Sequence, residues 1–221
     1  MLCKHLSKLN RMRIILASGS ARRSQILKEN LQLVFEVIPS TFAEDIDKST
    51  CTGPQDYVSQ TCRAKCLDSI EKNCKSKNKE DWVDIIISAD TIVVYDQKIL
   101  EKPSSIDHAI EMLKILSGQR HNVFTAVTIA ILNKDKDYDN DDISKNYSIK
   151  TFYESTEVHF DELDIDTIRA YVAPGDPMDK AGSYGIQSIA SSFVHKLNGC
   201  YFNVVGFPIH RFAKELLSML A

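Results

Sequence analysis

The chain has 221 residues, 43% hydrophobic and 26% charged, with 27 basic against 30 acidic side chains and a net charge of −3. That is enough chain to bury a sizeable core, in one large domain or two small lobes. The charge balance excludes a strong basic field for nucleic acid or anionic lipid, so any phosphate ligand must be held by a few local cations.

No apolar stretch approaches the roughly 20 residues of a membrane span. The first residues, Met1-Leu2-Cys3-Lys4-His5-Leu6, are too polar for a signal peptide. The six cysteines (Cys3, Cys51, Cys62, Cys66, Cys74 and Cys200) include no Cys-x-x-Cys pair, which predicts a reduced, cytoplasmic protein. Cys62 and Cys66 fall four apart on a predicted helix, with no second pair to complete a metal site, and read as packing residues.

Residues 1–12 read as a loose N-terminal extension and 13–221 as one domain. Residues 13–18 form an apolar strand, followed by Ser18-Gly19-Ser20-Ala21-Arg22-Arg23 and a helix over 20–31. A helix start presents unpaired N–H groups and partial positive charge. With two guanidiniums and two hydroxyls there, Ser18, Ser20, Arg22 and Arg23 suit a polyphosphate. Residues 33–38 form a second strand, and 40–53 an acidic loop holding Glu44, Asp45 and Asp47. Gly53-Pro54 opens a long helix to about Cys74, carrying Lys65 and ending in the lysine-rich stretch 75–79.

Residues 83–89 form an apolar strand ending at Asp90, with Thr91–Tyr95 continuing extended. A carboxylate at a strand end sits where α/β sheets place ligands, and Asp90 could hold Mg²⁺ or take a proton from water. Glu101-Lys102-Pro103 follows a short hairpin, and Lys102 is a point charge suited to phosphate. Ser105 caps a helix over 106–116, which Gly118 stops.

Residues 122–132 form a long strand whose return partner is 149–160. The polar run 133–148 between them reads as a solvated hairpin insertion. Asp164 caps a helix to about Val172, a Gly-containing loop covers 173–187, and Pro208 opens a C-terminal helix. Phe193–Leu197 and Cys200–Val205, joined by Asn198-Gly199, predict a β-hairpin. Helices mixed with hairpin-linked strands indicate an α/β fold with a mixed sheet.

In Asp179-Lys-Ala-Gly-Ser-Tyr-Gly-Ile-Gln187 the glycines would let a ligand approach the backbone. Gln187 offers one acceptor and one donor group, matching the N3–H and O4 of uracil or thymine. Arg22, Lys65 and Lys102 as cations, with Glu44 and Asp90 as hard-metal ligands, are the parts of a Mg²⁺-dependent polyphosphate site. There is no Gly-x₄-Gly-Lys-Ser/Thr loop, so the chain is not a P-loop NTPase.

Five ordered motifs resemble the Maf family of house-cleaning nucleoside triphosphate pyrophosphatases: Ser18–Arg23, Ser88-Ala-Asp-Thr91, Glu101–Pro103, Ser117-Gly-Gln-x-His-x-Val-x-Thr-Ala126 and Asp179–Gln187. Phe35–Ser40 and Asn203–Pro208 look most like the Maf domain of animal acetylserotonin O-methyltransferase-like proteins. The resemblance implies an inosine-triphosphate-pyrophosphatase-like fold with two lobes around a cleft, and a homodimer. It implies an enzyme that cuts a nucleoside triphosphate to monophosphate and pyrophosphate, in the branch acting on dTTP and UTP.

Asp90 would be the catalytic carboxylate and a metal ligand. Glu44 would help hold the divalent metal, Mg²⁺ or Mn²⁺. Lys65 and Lys102 would bind phosphates, and Arg22, Thr91 and Gln187 would shape substrate choice. Ala21 stands where the family usually has Pro, and Ala43 where it has one of two adjacent acids. The alternative is a nucleotide-binding regulator of cell division in which catalysis is incidental. Neither nucleic acid nor membrane is an expected partner.

Overall fold

The computed structural model describes residues 2–74, 82–134 and 142–220. The predicted stretch 75–79 and residues 135–141 of the predicted 133–148 insertion lie outside the described residues. Seven helices, α1 (Leu6–Leu9), α2 (Ala21–Gln25), α3 (Pro54–Asn73), α4 (Ile106–Leu116), α5 (Ile165–Val172), α6 (Tyr201–Val205) and α7 (Ile209–Leu220), accompany seven strands among these residues. The strands are β1 (Ile14–Leu16), β2 (Glu36–Val37), β3 (Ile85–Tyr95), β4 (Lys98–Leu100), β5 (Arg120–Leu132), β6 (Tyr147–Phe160) and β7 (Val194–Asn198).

The strands form one sheet in the order β2-β1-β3-β5-β6-β7, with β4 paired to β3. β1 runs parallel to β2 and β3, whereas β3–β4 and β6–β7 are antiparallel, so the sheet is mixed. Two compact units share the chain. One holds Met1–Asp90, Ala126–Tyr153 and Ile209–Ala221, the other Thr91–Thr125 and Glu154–Pro208. β3, β5 and β6 each contribute one part to each unit.

The first unit packs Ile15, Ala17 and Ile86 of the sheet against Cys66 and Ile70 of α3, with Trp82 and Tyr147 closing the layer. Helix α3 starts where Pro54 occupies the first turn after the Gly53 cap. Residues 2–9 are helical, and Leu9 is fully buried. Asn10 then braces the turn at Gln32: its Nδ2 donates to the Gln32 carbonyl and its Oδ1 accepts from Val34 N. The helix begun at Ala21 continues as a π-helical turn over Ile26–Asn30, which meets the predicted extent 20–31.

The second unit packs α4 and α5 around Leu113, Leu116, Ile168 and Val172 against Val93, Val123, Val158 and Phe160. Ser105 Oγ accepts from His108 N and Asp164 Oδ1 from Thr167 N, so both predicted caps are made. The β3–β4 turn uses Asp96 and Gln97, both at positive φ (46° and 62°), the backbone twist a two-residue hairpin favours.

The predicted hairpin over 193–205 does not form. β7 pairs with β6, but Tyr201–Val205 is helical. The cause is Asn203, which is fully buried. Its Nδ2 donates to the Val123 carbonyl at 2.9 Å and to Thr156 Oγ1 at 3.0 Å, so the chain turns inward after Gly199 instead of pairing back on β7. Gly199 has φ +137°, and a Cβ there would lie 2.8 Å from Thr156 Oγ1.

Candidate active site

Ser18 follows β1 and is buried. Arg23, in the first turn of α2, donates from Nη1 to Ser18 Oγ at 2.9 Å and to the Ala89 carbonyl at 2.8 Å. The Ser-Gly-Ser-Ala-Arg-Arg turn is thereby tied to the backbone just before Asp90. Burial pushes the Arg23 pKa below its ordinary value, and the Asp90 charge is the foremost influence raising it. Arg22 and Ser20 sit partly exposed on the same turn. Ser20 makes no side-chain cap, so it is placed by its neighbours rather than by a role in starting the helix.

Asp90 is 8% exposed at the end of the first unit's stretch of β3. Lys65 of α3 brings Nζ to 2.7 Å from Asp90 Oδ1 and 2.9 Å from Glu44 Oε1. A shared register aligns them. Ser88 Oγ donates to the Cys62 carbonyl at 2.7 Å, pinning β3 to α3. From there three helix residues (about 4.5 Å) reach Lys65 and two strand residues (about 6.6 Å) reach Asp90. Glu44 itself sits at φ +55°, a left-handed backbone that non-glycine residues adopt at a cost of about 1–3 kcal/mol.

Asp68 is a participant that the sequence reading missed. It accepts from Ser40 Oγ at 2.7 Å and from Thr41 N at 2.9 Å, fastening the start of the acidic loop to α3. Burial pushes its pKa up, but hydrogen bonds from Lys72, Ser40 and Thr41 outweigh that and leave it below the ordinary value. Its helical spacing from Lys65 was the available signal. The 28-residue gap to Ser40 concealed the contact.

Glu44 and Asp90 thus face one cationic point, held here by an ammonium. Two carboxylates suit Mg²⁺ or Mn²⁺ completed by water and phosphate oxygens, so the donor set fits the metal that the resemblance implies. Among the described residues no group of three or more His, Cys, Asp or Glu is placed to hold a metal. Cys62 and Cys66 are fully buried in the packing between α3 and the sheet.

Thr91, Lys102 and Gln187 belong to the second unit. Thr91 Oγ1 lies 3.0 Å from Thr125 Oγ1. Lys102 is exposed, and the neighbouring Glu101 carbonyl accepts from Gly182 N at 3.2 Å, joining two of the motifs. Gln187 is exposed and lines a groove of about 730 Å³ with Ser191, His195, Lys196 and Tyr201, among others, but not Thr91 or Lys102.

The motif glycines are explained by packing. Gly182 has φ +66°, and a Cβ there would lie 2.7 Å from Val93 Cγ2. At Gly185 a Cβ would lie 2.5 Å from Lys180 Cε, the stem of a lysine whose ammonium pairs with Asp176 and Asp179. His121 is likewise internal. Its Nε2 is 2.8 Å from the Tyr184 hydroxyl, its ring meets Phe160 edge-on, and burial lowers its pKa to about 3. It clamps β5 to the Asp179–Gln187 segment and stays neutral.

Comparison with known proteins follows these motifs. Residues 13–219 match the family described as Maf-like protein. A dTTP/UTP pyrophosphatase of Clostridium tetani is 43% identical over 202 residues, covering 90% of this chain and 94% of that one. One from Bacillus thuringiensis is 44% identical over 204 residues, covering 92% and 94%. A human protein named "Probable bifunctional dTTP/UTP pyrophosphatase/methyltransferase protein" is 40% identical over 218 residues. That alignment takes in 99% of this chain and only 34% of the human protein. Among solved structures, the Ham1 protein of Staphylococcus aureus aligns with 67% of this chain and 71% of its own, at 15% identity and a TM-score of 0.35.

Proposed function

Since the chain belongs to the Maf family, we propose that it is a nucleoside triphosphate pyrophosphatase acting on dTTP and UTP. The observation that carries this reading is the Glu44–Lys65–Asp90 cluster, set against a turn whose Arg23 grips the backbone at Ala89. A carboxylate poised beside cations is what hydrolysis of an α–β phosphoanhydride requires, with no covalent protein nucleophile. The reading of a regulator with incidental catalysis has no observation in its favour.

In the proposed reaction a water oxygen attacks the α-phosphorus and the bond to the bridging α–β oxygen breaks. Pyrophosphate leaves, and the water proton passes to the Asp90 carboxylate. Lys65 pairs with that carboxylate and orients it. Arg22, Lys65 and Lys102 neutralise phosphate charge. Arg23, already engaged with Ser18 and Ala89, holds the turn and the strand end in place. Glu44 and Asp90 would hold a divalent ion, which when bound lowers the pKa of water and offsets charge on the phosphates. Thr91 and Gln187 select the base.

We take residues 13–221 as the functional domain and a homodimer as its assembly. Its six cysteines, all free, fit a reducing cytoplasm. No helix among the described residues is long and apolar enough to cross a membrane. The test is product analysis with purified protein, Mg²⁺ and UTP. UMP and pyrophosphate are expected; UDP and orthophosphate as first products would overturn the assignment.

A further inference from the structure

Gln187 is exposed, so its side chain is placed by the backbone beneath it. That backbone is a tight turn over residues 185–188, closed by Ser188 N donating to the Gly185 carbonyl at 3.0 Å. Ile186 and Gln187 are its two central residues. Ile186 is buried, which leaves Gln187 as the outward residue of the turn.

Both corners of this turn lead to one carboxylate, all within the second unit. Gly185 N donates to the Tyr171 hydroxyl at 3.3 Å, and that hydroxyl donates to Asp176 Oδ2 at 2.8 Å. Ser188 Oγ lies 2.8 Å from the same Oδ2 and 2.9 Å from the Gly185 carbonyl, sharing its proton between them. Lys180 Nζ reaches Asp176 Oδ1 at 3.2 Å. Burial pushes the Asp176 carboxyl up, but hydrogen bonds from Tyr171, Ser188 and Lys180 outweigh it and leave it below the ordinary carboxylate range. An ionised carboxylate only accepts, so the Tyr171 hydroxyl has one direction: it gives its proton to Asp176 and accepts from Gly185.

The clasp is anchored in packed structure. Tyr171 lies in the last turn of α5 and is buried, with its ring edge-on to Phe193 at 5.2 Å. Gly175, at φ +85°, turns the chain back after α5, and the carboxylate that follows it returns to Tyr171.

We propose that Asp176, acting through Tyr171 and Ser188, is the positioning residue that holds the Gln187 turn in the orientation base selection requires. The inference rests on the functional reading above, in which Gln187 contributes to base choice. An amide that must meet N3–H and O4 together makes both bonds at full strength only where its backbone is fixed beforehand. A loose turn must be ordered on binding, which weakens the contact to the correct base and leaves the incorrect one little changed.

The test separates recognition from chemistry. Binding of non-hydrolysable α,β-methylene analogues of UTP and CTP, with Mg²⁺, is measured by calorimetry for wild type, Asp176→Ala, Gln187→Ala and the double variant. The wild type should favour the UTP analogue by about 10-fold or more. Asp176→Ala should bring the two affinities within about 3-fold and add nothing to Gln187→Ala, since it acts through that side chain. A merely structural loss would weaken both analogues alike and keep their ratio. Should Asp176→Ala not fold, Tyr171→Phe combined with Ser188→Ala cuts the same two ties and should narrow the ratio equally. A folded variant of either kind with the wild-type ratio would overturn the positioning role, as would a further change of ratio on top of Gln187→Ala. Equal affinities in the wild type would overturn base selection itself, and the proposal with it. Release of orthophosphate from UTP would overturn the pyrophosphatase reading while leaving these affinity ratios intact.

Discussion

Lys65 Nζ stands 2.7 Å from Asp90 Oδ1, both side chains 12% exposed, and the same ammonium reaches Glu44 Oε1 at 2.9 Å. One cation therefore satisfies two carboxylates that would otherwise repel each other, at the site we propose for the reaction. Removing it should act on both stability and catalysis.

Lys65→Met leaves Glu44 and Asp90 facing each other without a counter-charge. A loss of about 3 kcal/mol is expected, the scale of breaking a largely buried pair. Mg²⁺ at millimolar concentration should raise the melting temperature of this variant more than that of the wild type, since a divalent ion can replace the ammonium between the carboxylates. Calorimetric melts with and without Mg²⁺ check this, and an identical Mg²⁺ response in both proteins would count against carboxylates that hold metal.

Asp90→Asn preserves shape and removes the charge. Turnover on UTP should fall by about 10²-fold or more, the contribution of a general base, with the far-UV spectrum unchanged. A folded variant with near-normal turnover would remove Asp90 from the mechanism.

Gln187→Ala should lower kcat/KM on UTP and dTTP by about 10-fold and narrow the preference over CTP, because an amide that spans N3–H and O4 is lost. A comparison across four bases in wild type and variant measures it. If the variant matches the wild type on all four, the groove at Gln187 serves something other than the base.

His121 supplies a pH prediction. Burial, with a smaller contribution from the charge of His159, lowers its pKa to about 3, against about 6.5 in an unfolded chain. The unfolded state therefore binds the extra proton first. Stability is unaffected by this group above about pH 6.5 and falls below it by about 1.4 kcal/mol per pH unit, until the folded value near 3 is reached. Urea unfolding should show wild type losing about 2 kcal/mol more than His121→Gln between pH 6.5 and 5. Parallel slopes for the two proteins would contradict this.

Gly182→Ala places a Cβ 2.7 Å from Val93 Cγ2 on a backbone at φ +66°. The left-handed conformation and the overpacking together should cost about 3 kcal/mol. The unfolding midpoint in urea reads it directly, and a change below 1 kcal/mol would mean that the Asp179–Gln187 segment yields easily (roughly the lower end of overpacking costs).

Much of this protein could be read from its residues in order. Local patterns decided α3, α4 and α5, because Gly53-Pro54 at the start of α3, and caps such as Ser105 and Asp164 with apolar spacing in α4 and α5, act within a few residues. The strands carrying Asp90 and Thr125 were equally legible from their apolar runs, and the five motifs marked the family. Pairings distant in sequence were decided only by the tertiary structure. Asn203 turned an expected strand into a helix by satisfying the Val123 carbonyl, 80 residues away, a demand no local propensity records. The motif glycines signalled close approach, but what approaches is Val93 and Lys180. Likewise the sequence assigned Glu44, Lys65 and Asp90 to one polyphosphate site but not the contact between them. Their meeting at one ammonium depends on the Ser88–Cys62 contact that sets α3 in register with β3, since hydrogen-bond geometry between elements is settled when they pack.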